Sequence, residues 1–376
     1  MTEVIKPRKV ALANPFIGAE EANSARDVIQ SGWVSRGPKV KEFEDRFAEY
    51  VGAKYAVSAV NGTAALHLAL IGAGIQEGDE VLIPDITFIS TANVVLYERA
   101  IPVLVECDPY TYNIDLDDAK KKITDKTRAI IPVDMNGLPV DYKAMGKFAK
   151  EHDLKLIADS AESLGAEYKG QKIGSQAPVH IFSFFPNKNI TTGEGGMIVT
   201  DDKDMAVYME QVGNQGQDYR YHHIHLGYNY RLSNVPAAIG LEQLKKVDTI
   251  IAEKNRLAGV YDRELEGVPY LDIPFIPKYV TQHSWYMYAI NLDESIDRDQ
   301  VVKKLGESGI DTRLSFPPIH IQPYYQKTFG FTDESLPASM KAWQQLINIP
   351  IWPGLPEEDQ AFVIQQLKAI IPECRR

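Results

Sequence analysis

The 376-residue chain has a formal charge of −11 with 44% hydrophobic and 24% charged residues, so it has ample material for a large core and no surplus of cations. A pI near 5.3 without a basic stripe excludes a nucleic-acid footprint, because phosphates need cations to neutralise them. At roughly 100–200 residues per domain, two domains or one large one are expected.

The N-terminal stretch "MTEVIKPRKVALANPF" has neither the apolar core of a secretion signal nor the arginine-rich pattern of a transit peptide. No later apolar run reaches the length of a membrane span, so a cytoplasmic protein is expected. From residue 40, Val40, Phe43, Phe47 and Val51 are spaced to share one helical face. The chain passes Gly52 into "KYAVSAV", a short β-rich run, and turns at Asn61-Gly62-Thr63. The following "AALHLALIGAG" is apolar nearly all round, which predicts a buried helix.

The alternation continues with "EVLIPD", "IPVLVECD", "AIIPVDMN", "LKLIADS", "HIFSFF" and "GGMIVT", most of them separated by polar or helical segments. Nearly continuous apolar strands spaced by helices predict an α/β fold with a mainly parallel sheet covered on both faces. Past "NVPAAIGLEQLKKVDTIIAEKNRLAGVYDRELE" the rhythm changes to one long amphipathic helix, few strands and a last helix near "EEDQAFVIQQLKAI". The expected organisation is a large domain over 1–248 and a smaller α+β domain over 249–376. Cys107 and Cys374 fit neither a zinc nor a disulfide framework. In "RYHHIHLGYNYR", His222, His223 and His225 lie close together, but no cysteine or helical His pair accompanies them. A loop over a substrate is expected there, and no metal.

Ligands of such sheets bind beyond the carboxyl ends of the strands. Those positions hold Gly62 and Thr63, Phe88, Asp159, and the run from Ser183 to Lys188. Gly62 and Thr63 open a helix whose N–H groups and dipole suit a phosphate, and Ser183 adds a hydroxyl donor. Phe88 suits a flat ring, Asp159 a protonated ring nitrogen, and Lys188 an aldehyde. A lone lysine is ordinarily a solvated surface residue, and a strand-end Asp ordinarily a cap. Together at successive strand ends, these residues describe a site for pyridoxal 5'-phosphate.

Segments from "SGWVSRGPKVKEFEDRFAEYVGAKYAV" through "NGTAALHLAL", "GDEVLIPDITFISTANVV", "ADSAESLGAEYKG", "FSFFPNKNITTGEGGM" and "LGYNYRLSNVPAAIGLEQL" to "GIDTRLSFPPIHIQPYY" occur in the order seen in a known family. The chain resembles the DegT/DnrJ/EryC1/StrS sugar aminotransferases, which are aspartate-aminotransferase-like (fold type I) pyridoxal phosphate enzymes. The resemblance implies a large domain with a mainly parallel seven-stranded sheet and a smaller C-terminal domain. It implies that Lys188 forms the Schiff base, Asp159 holds the ring nitrogen protonated, Phe88 stacks on the ring, and Gly62, Thr63 and Ser183 bind the phosphate. It further implies that Asn229 reaches the phosphate of a neighbouring subunit in a homodimer with shared active sites, and that Glu162 and Arg231 line the same cleft. Glutamate would supply the amino group and a nucleotide-linked keto sugar would receive it. Sister enzymes that deoxygenate sugars carry histidine where this chain has Lys188.

The likeness is strongest to the perosamine-synthase branch, which aminates C4 of GDP-4-keto-6-deoxymannose; related branches use dTDP- or UDP-linked keto sugars at C3 or C4. "VDMNGLP" departs from the H-L-Y-G pattern of the perosamine branch at Asp134, Met135 and Asn136, which bears on the sugar and not on the cofactor. Trp33, Ser35, Arg36, Arg313 and His320 are expected at the sugar or its diphosphate, where guanidinium groups suit phosphate oxygens better than ammonium groups do.

Overall fold

The computed structural model describes residues 9–376, so the opening residues of the N-terminal stretch read above lie outside the described residues. Seven strands form the central sheet: β1 (Tyr55–Ala59), β2 (Glu80–Pro84), β3 (Ile101–Val105), β4 (Thr127–Ile130), β5 (Lys155–Asp159), β6 (Val179–Ser183) and β7 (Gly196–Thr200). Their order is β1-β7-β6-β5-β4-β2-β3. Every neighbouring pair is parallel except those of β7, which runs antiparallel to both β1 and β6. The reason is local, because residues 184–195 fold straight back from β6 into β7 without a crossover helix. That return loop carries Lys188.

Flanking helices cover both faces. The helix Pro38–Val51 starts on Pro38, whose fixed φ suits a first turn, and stops at Gly52, which adopts φ 77°. It buries Val40, Phe43, Phe47 and Val51, and the two phenylalanines pack on Phe184. The helix Gly62–Gly72 is capped by Asn61, whose side chain accepts from the Ala64 N–H, and it is buried from Ala64 through Leu70. Burial all round matches its apolar composition.

A second sheet comprises β8 (Leu271–Asp272), β9 (Tyr288–Leu292) and β10 (Leu346–Ile349), in the order β8-β9-β10 and antiparallel throughout. Its core joins Leu257 and Tyr261 of the helix Val247–Leu265 to Ile290, Ile347 and Val363. Val10 also packs there, and it exchanges backbone hydrogen bonds with Gly309 and Asp311. The first described segment, at Val10, is therefore built into the C-terminal core rather than the larger one. No described helix is long and apolar enough to cross a membrane. Both cysteines are buried free thiols.

Candidate active site

A cavity of about 390 Å³ opens at the carboxyl ends of β1, β2, β5 and β6. Its size suits a small cofactor with part of a substrate. Gly62, Thr63, Phe88, Asp159, Glu162, Ser183, Lys188 and Arg313 line it. Eight residues spread over 252 sequence positions therefore meet (Arg313 minus Gly62 plus one).

One end is an anion cradle. Asn61 Oδ1 takes the Ala64 N–H at 2.8 Å and the Asn61 carbonyl takes the Ala65 N–H at 3.0 Å, leaving the Gly62 and Thr63 N–H groups to a ligand. The fit is close, since a Cβ on Gly62 would stand 2.8 Å from Ser183 Cβ. A Cβ on Gly196 would stand 2.4 Å from the Asn61 carbonyl oxygen, so glycine is required for β7 to enter beside this turn.

Asp159 forms the buried end, at 6% exposure. It accepts from Thr91 Oγ1 at 3.1 Å and from the Ala161 N–H at 3.2 Å, while Thr91 contacts Thr87 Oγ1 at 2.9 Å. Burial raises its pKa above the ordinary carboxylate range against the pull of these donors and Lys188. A cationic ring N–H opposite the carboxylate would offset that desolvation. Phe88 forms an exposed wall with its ring 5.6 Å from that of Phe316.

Lys188 Nζ donates to Glu162 Oε1 at 3.2 Å and lies 4.0 Å from the centre of the Tyr286 ring. Burial lowers the ammonium pKa, but Tyr286, Glu162 and Asp159 outweigh it, so the lysine sits above its usual range. Glu162 is raised by burial, opposed by Lys188 and by the Asn136 N–H that its other oxygen accepts at 2.8 Å. Asn187 Nδ2 donates to the Tyr286 hydroxyl at 2.9 Å, and its buried Oδ1 has no partner among the described residues. The residue set fits pyridoxal phosphate: N–H groups and a hydroxyl for the phosphate, an aromatic wall, a buried acid and an amine.

The other expected residues lie elsewhere. Arg231 does not line the cleft of its own chain, because its guanidinium is held at the surface by Asn229 Oδ1 and Asn214 Oδ1. Asn229 is exposed and equally outside the cavity. Trp33, Ser35 and Arg36 form the loop between the helices Ala19–Ser31 and Pro38–Val51, away from the cavity. Arg36 is engaged by Glu210 at 2.6 Å and Glu44 at 3.9 Å, and Trp33 Nε1 donates to the Arg36 carbonyl. His320 is fully buried, with its ring 2.6 Å from Asp85 Oδ2 and its N–H donating to Asp85 Oδ1. It is tied to a buried carboxylate at the end of β2 and does not line the cavity as a sugar contact would. Of the three clustered histidines, His222 pairs with Asp218 and His223 with the Gln215 carbonyl. Among the described residues no group of three or more His, Cys, Asp or Glu side chains could hold a metal ion.

Asp134, Met135 and Asn136 are buried and do not line the cavity. Asp134 accepts from Ser163, Tyr142, Ser160 and the Val140 N–H, so the departure from the family pattern here concerns packing behind the site. Thr91, Asn187 and Tyr286 belong to the site but were not singled out in the sequence. Asn187 stands one position before Lys188, which was a usable signal. Tyr286 comes from a stretch that reads as an ordinary strand.

Fold and site together define a pyridoxal-phosphate enzyme of fold type I, a transferase. Residues 15–368 match the DegT/DnrJ/EryC1/StrS aminotransferase family, and the chain belongs to that family of sugar aminotransferases. It is 39% identical over 368 residues to GDP-perosamine synthase of Caulobacter vibrioides, covering 96% of this chain and 98% of the relative. It is 35% identical over 373 residues to the spore coat polysaccharide biosynthesis protein SpsC of Bacillus subtilis, covering 95% and 96%. Spr1654 of Streptococcus pneumoniae, solved in PLP and PMP forms, superposes with a TM-score of 0.93 at 26% identity. In the PLP form the match covers 98% of this chain and 100% of that one.

Proposed function

We propose that this enzyme transfers the amino group of glutamate to C4 of GDP-4-keto-6-deoxymannose, releasing 2-oxoglutarate and GDP-perosamine. The observation that carries the transfer is Lys188 Nζ, 3.2 Å from Glu162 Oε1 in one cavity with Asp159 and the anion cradle. The likeness to GDP-perosamine synthase across nearly the whole chain supports the choice of sugar. Bound pyridoxal phosphate supplies an electron sink for the carbanion character that develops at the donor α-carbon. Asp159 keeps the ring nitrogen protonated. Gly62, Thr63 and Ser183 hold the phosphate, and Phe88 fixes the ring plane. Glu162 Oε1 is in line to take the Lys188 proton, and the freed amine moves protons at the donor carbon and then at the sugar carbon. Arg313 offers the cation for a substrate carboxylate or diphosphate. Retention of lysine at position 188 favours transamination over deoxygenation.

The same reading has the chain act as a homodimer, with Asn229 reaching the phosphate site of a second copy; its exposure outside its own cavity supports this. The test of the substrate is a panel of GDP-, dTDP- and UDP-linked keto sugars with glutamate, scored by product mass. Amination of the GDP-linked 4-keto sugar in preference to the others is expected. Preference for a dTDP or UDP sugar overturns the nucleotide assignment, and loss of a sugar hydroxyl without gain of nitrogen overturns transamination.

A further inference from the structure

Directly after Lys188 stands Asn189, buried at 7% exposure, and its side chain makes three hydrogen bonds to three different segments. Nδ2 donates to the Leu164 carbonyl and to the Ser284 carbonyl, both at 3.1 Å. Oδ1 accepts from Lys254 Nζ at 2.7 Å, and the same ammonium donates to the Trp285 carbonyl at 3.0 Å. Leu164 follows Glu162 by two positions, and Ser284 and Trp285 immediately precede Tyr286. The two groups that touch the Lys188 amine are thus anchored, through Asn189 and Lys254, to the residue next to that lysine. Ser284 closes the knot by donating from Oγ to the Glu162 carbonyl at 2.8 Å. Asn255, beside Lys254 on the helix Val247–Leu265, holds the same stretch by donating to the His283 carbonyl and accepting from Trp285 Nε1.

Lys254 is an unusual choice for an anchor. It is 4% exposed, and both of its hydrogen-bond acceptors are neutral. Burial, together with the charge of Lys188, brings it down to about 7. A buried amine without a counter-ion is costly, and an apolar side chain of similar volume would pack there at less expense. Such a side chain would hold neither Asn189 nor Trp285. The titratable groups around the two amines are Glu162, Asp159 and Tyr286 for Lys188, and His283 for Lys254.

We propose that Asn189 and Lys254 form a positioning clasp that sets where the Lys188 amine stands between Glu162 and Tyr286, and through that placement governs its reactivity. The proposal rests on Lys188 as the reacting amine. Lys254 does not line the cavity; it acts through Asn189 and the Trp285 backbone, joining the helix Val247–Leu265 to the loop that carries Lys188.

The test compares wild type with Lys254→Met, Lys254→Gln and Asn189→Leu. Competitive labelling of Lys188 by trace acetic anhydride in the cofactor-free protein, read by mass spectrometry across pH, reports the amine without cofactor or substrate. With the clasp cut, Glu162 and Tyr286 lose their fixed distance, and the Lys188 labelling midpoint falls toward the ordinary lysine value. In the loaded enzyme kcat falls roughly 10-fold or more while KM for glutamate stays within about two-fold, because alignment and not binding is lost. The Lys254→Met, Asn189→Leu double variant is no worse than either single change, as for two ends of one device. Lys254→Gln keeps an N–H donor, retains more activity than Lys254→Met, and carries the test if the methionine variant does not fold. A lowered melting temperature with unchanged labelling midpoint and unchanged kcat makes the clasp merely structural and overturns the proposal. Independent, multiplying effects of the two substitutions overturn it as well. Loss of labelling contrast leaves the transaminase reading intact, since that stands or falls on removal of Lys188 itself.

Discussion

Asp134 and Asp159 are two buried carboxylates within one backbone hydrogen bond of each other, the Asp134 N–H donating to the Asp159 carbonyl at 3.1 Å. Burial raises the pKa of both. Asp134 is surrounded by four donors, from Val140, Tyr142, Ser160 and Ser163, and Ser160 in turn contacts His180 Nδ1 at 2.9 Å. Asp159 has two donors and faces the cavity. A buried acid whose oxygens are fully engaged holds the chain together. One left short of partners beside a cavity is set to receive a charge from a ligand.

The largest effect expected on this contrast is at the lysine serving the open site. Lys188→Ala should keep the fold and lose turnover by about 10³-fold or more, and borohydride reduction should leave no cofactor adduct in that chain. Turnover near the wild-type rate would sink the assignment. Asp159→Asn should lower kcat by roughly 10²-fold with little change in melting temperature, since the amide keeps a hydrogen bond but no longer stabilises a ring cation. Equal losses of stability in Asp159→Asn and Asp134→Asn would erase the contrast.

The open site also requires a second chain in the proposed dimer. Lys188→Ala and Asn229→Ala chains should each be inactive, and mixing them after dissociation should restore about a quarter of wild-type activity. Half of the dimers are then hybrids, each with one intact site. Absence of any recovery in verified hybrids would place Asn229 outside the neighbouring site.

The smallest effect on turnover belongs to the closed knot. Asp134→Asn should change kcat by less than about three-fold but destabilise by about 2 kcal/mol, because at least one donor is left facing an amide nitrogen. Burial pushes Asp134 up to about 6 despite its four donors, from an unfolded value near 3.8. The folded state therefore binds the proton more tightly. This group's contribution is fully present below about pH 4 and is lost as pH rises through 6. Urea titrations between pH 4 and 7 should show that slope in wild type and not in Asp134→Asn.

The strand-end residues of the cavity were legible because apolar runs mark the strands, and a parallel sheet presents its ligand face where they end. Gly62, Thr63, Phe88, Asp159, Ser183 and Lys188 follow directly from that rule. The β7 reversal was not legible, since an antiparallel strand and a parallel one read alike in composition. From the sequence His320 reads as a sugar contact, because its partner, Asp85, lies 235 positions away. Arg36 is a cation whose partner, Glu210, lies 174 positions away, and Arg231 is held in part by Asn214, 17 positions away.

By itself the sequence determined the alternation of strands and helices, the side of the sheet on which chemistry gathers, and the lysine, acid and glycine turn found there. These depend on periodicity and on neighbours a few positions apart. The tertiary structure alone decided which charges are engaged elsewhere and which face the cavity: Asp134 against Asp159, buried His320 against exposed Arg313, and the hold of Lys254 and Asn189 on the ground around Lys188. The physical reason is that the free energy of a buried polar group depends on its partners, and those partners become neighbours only when the chain has folded.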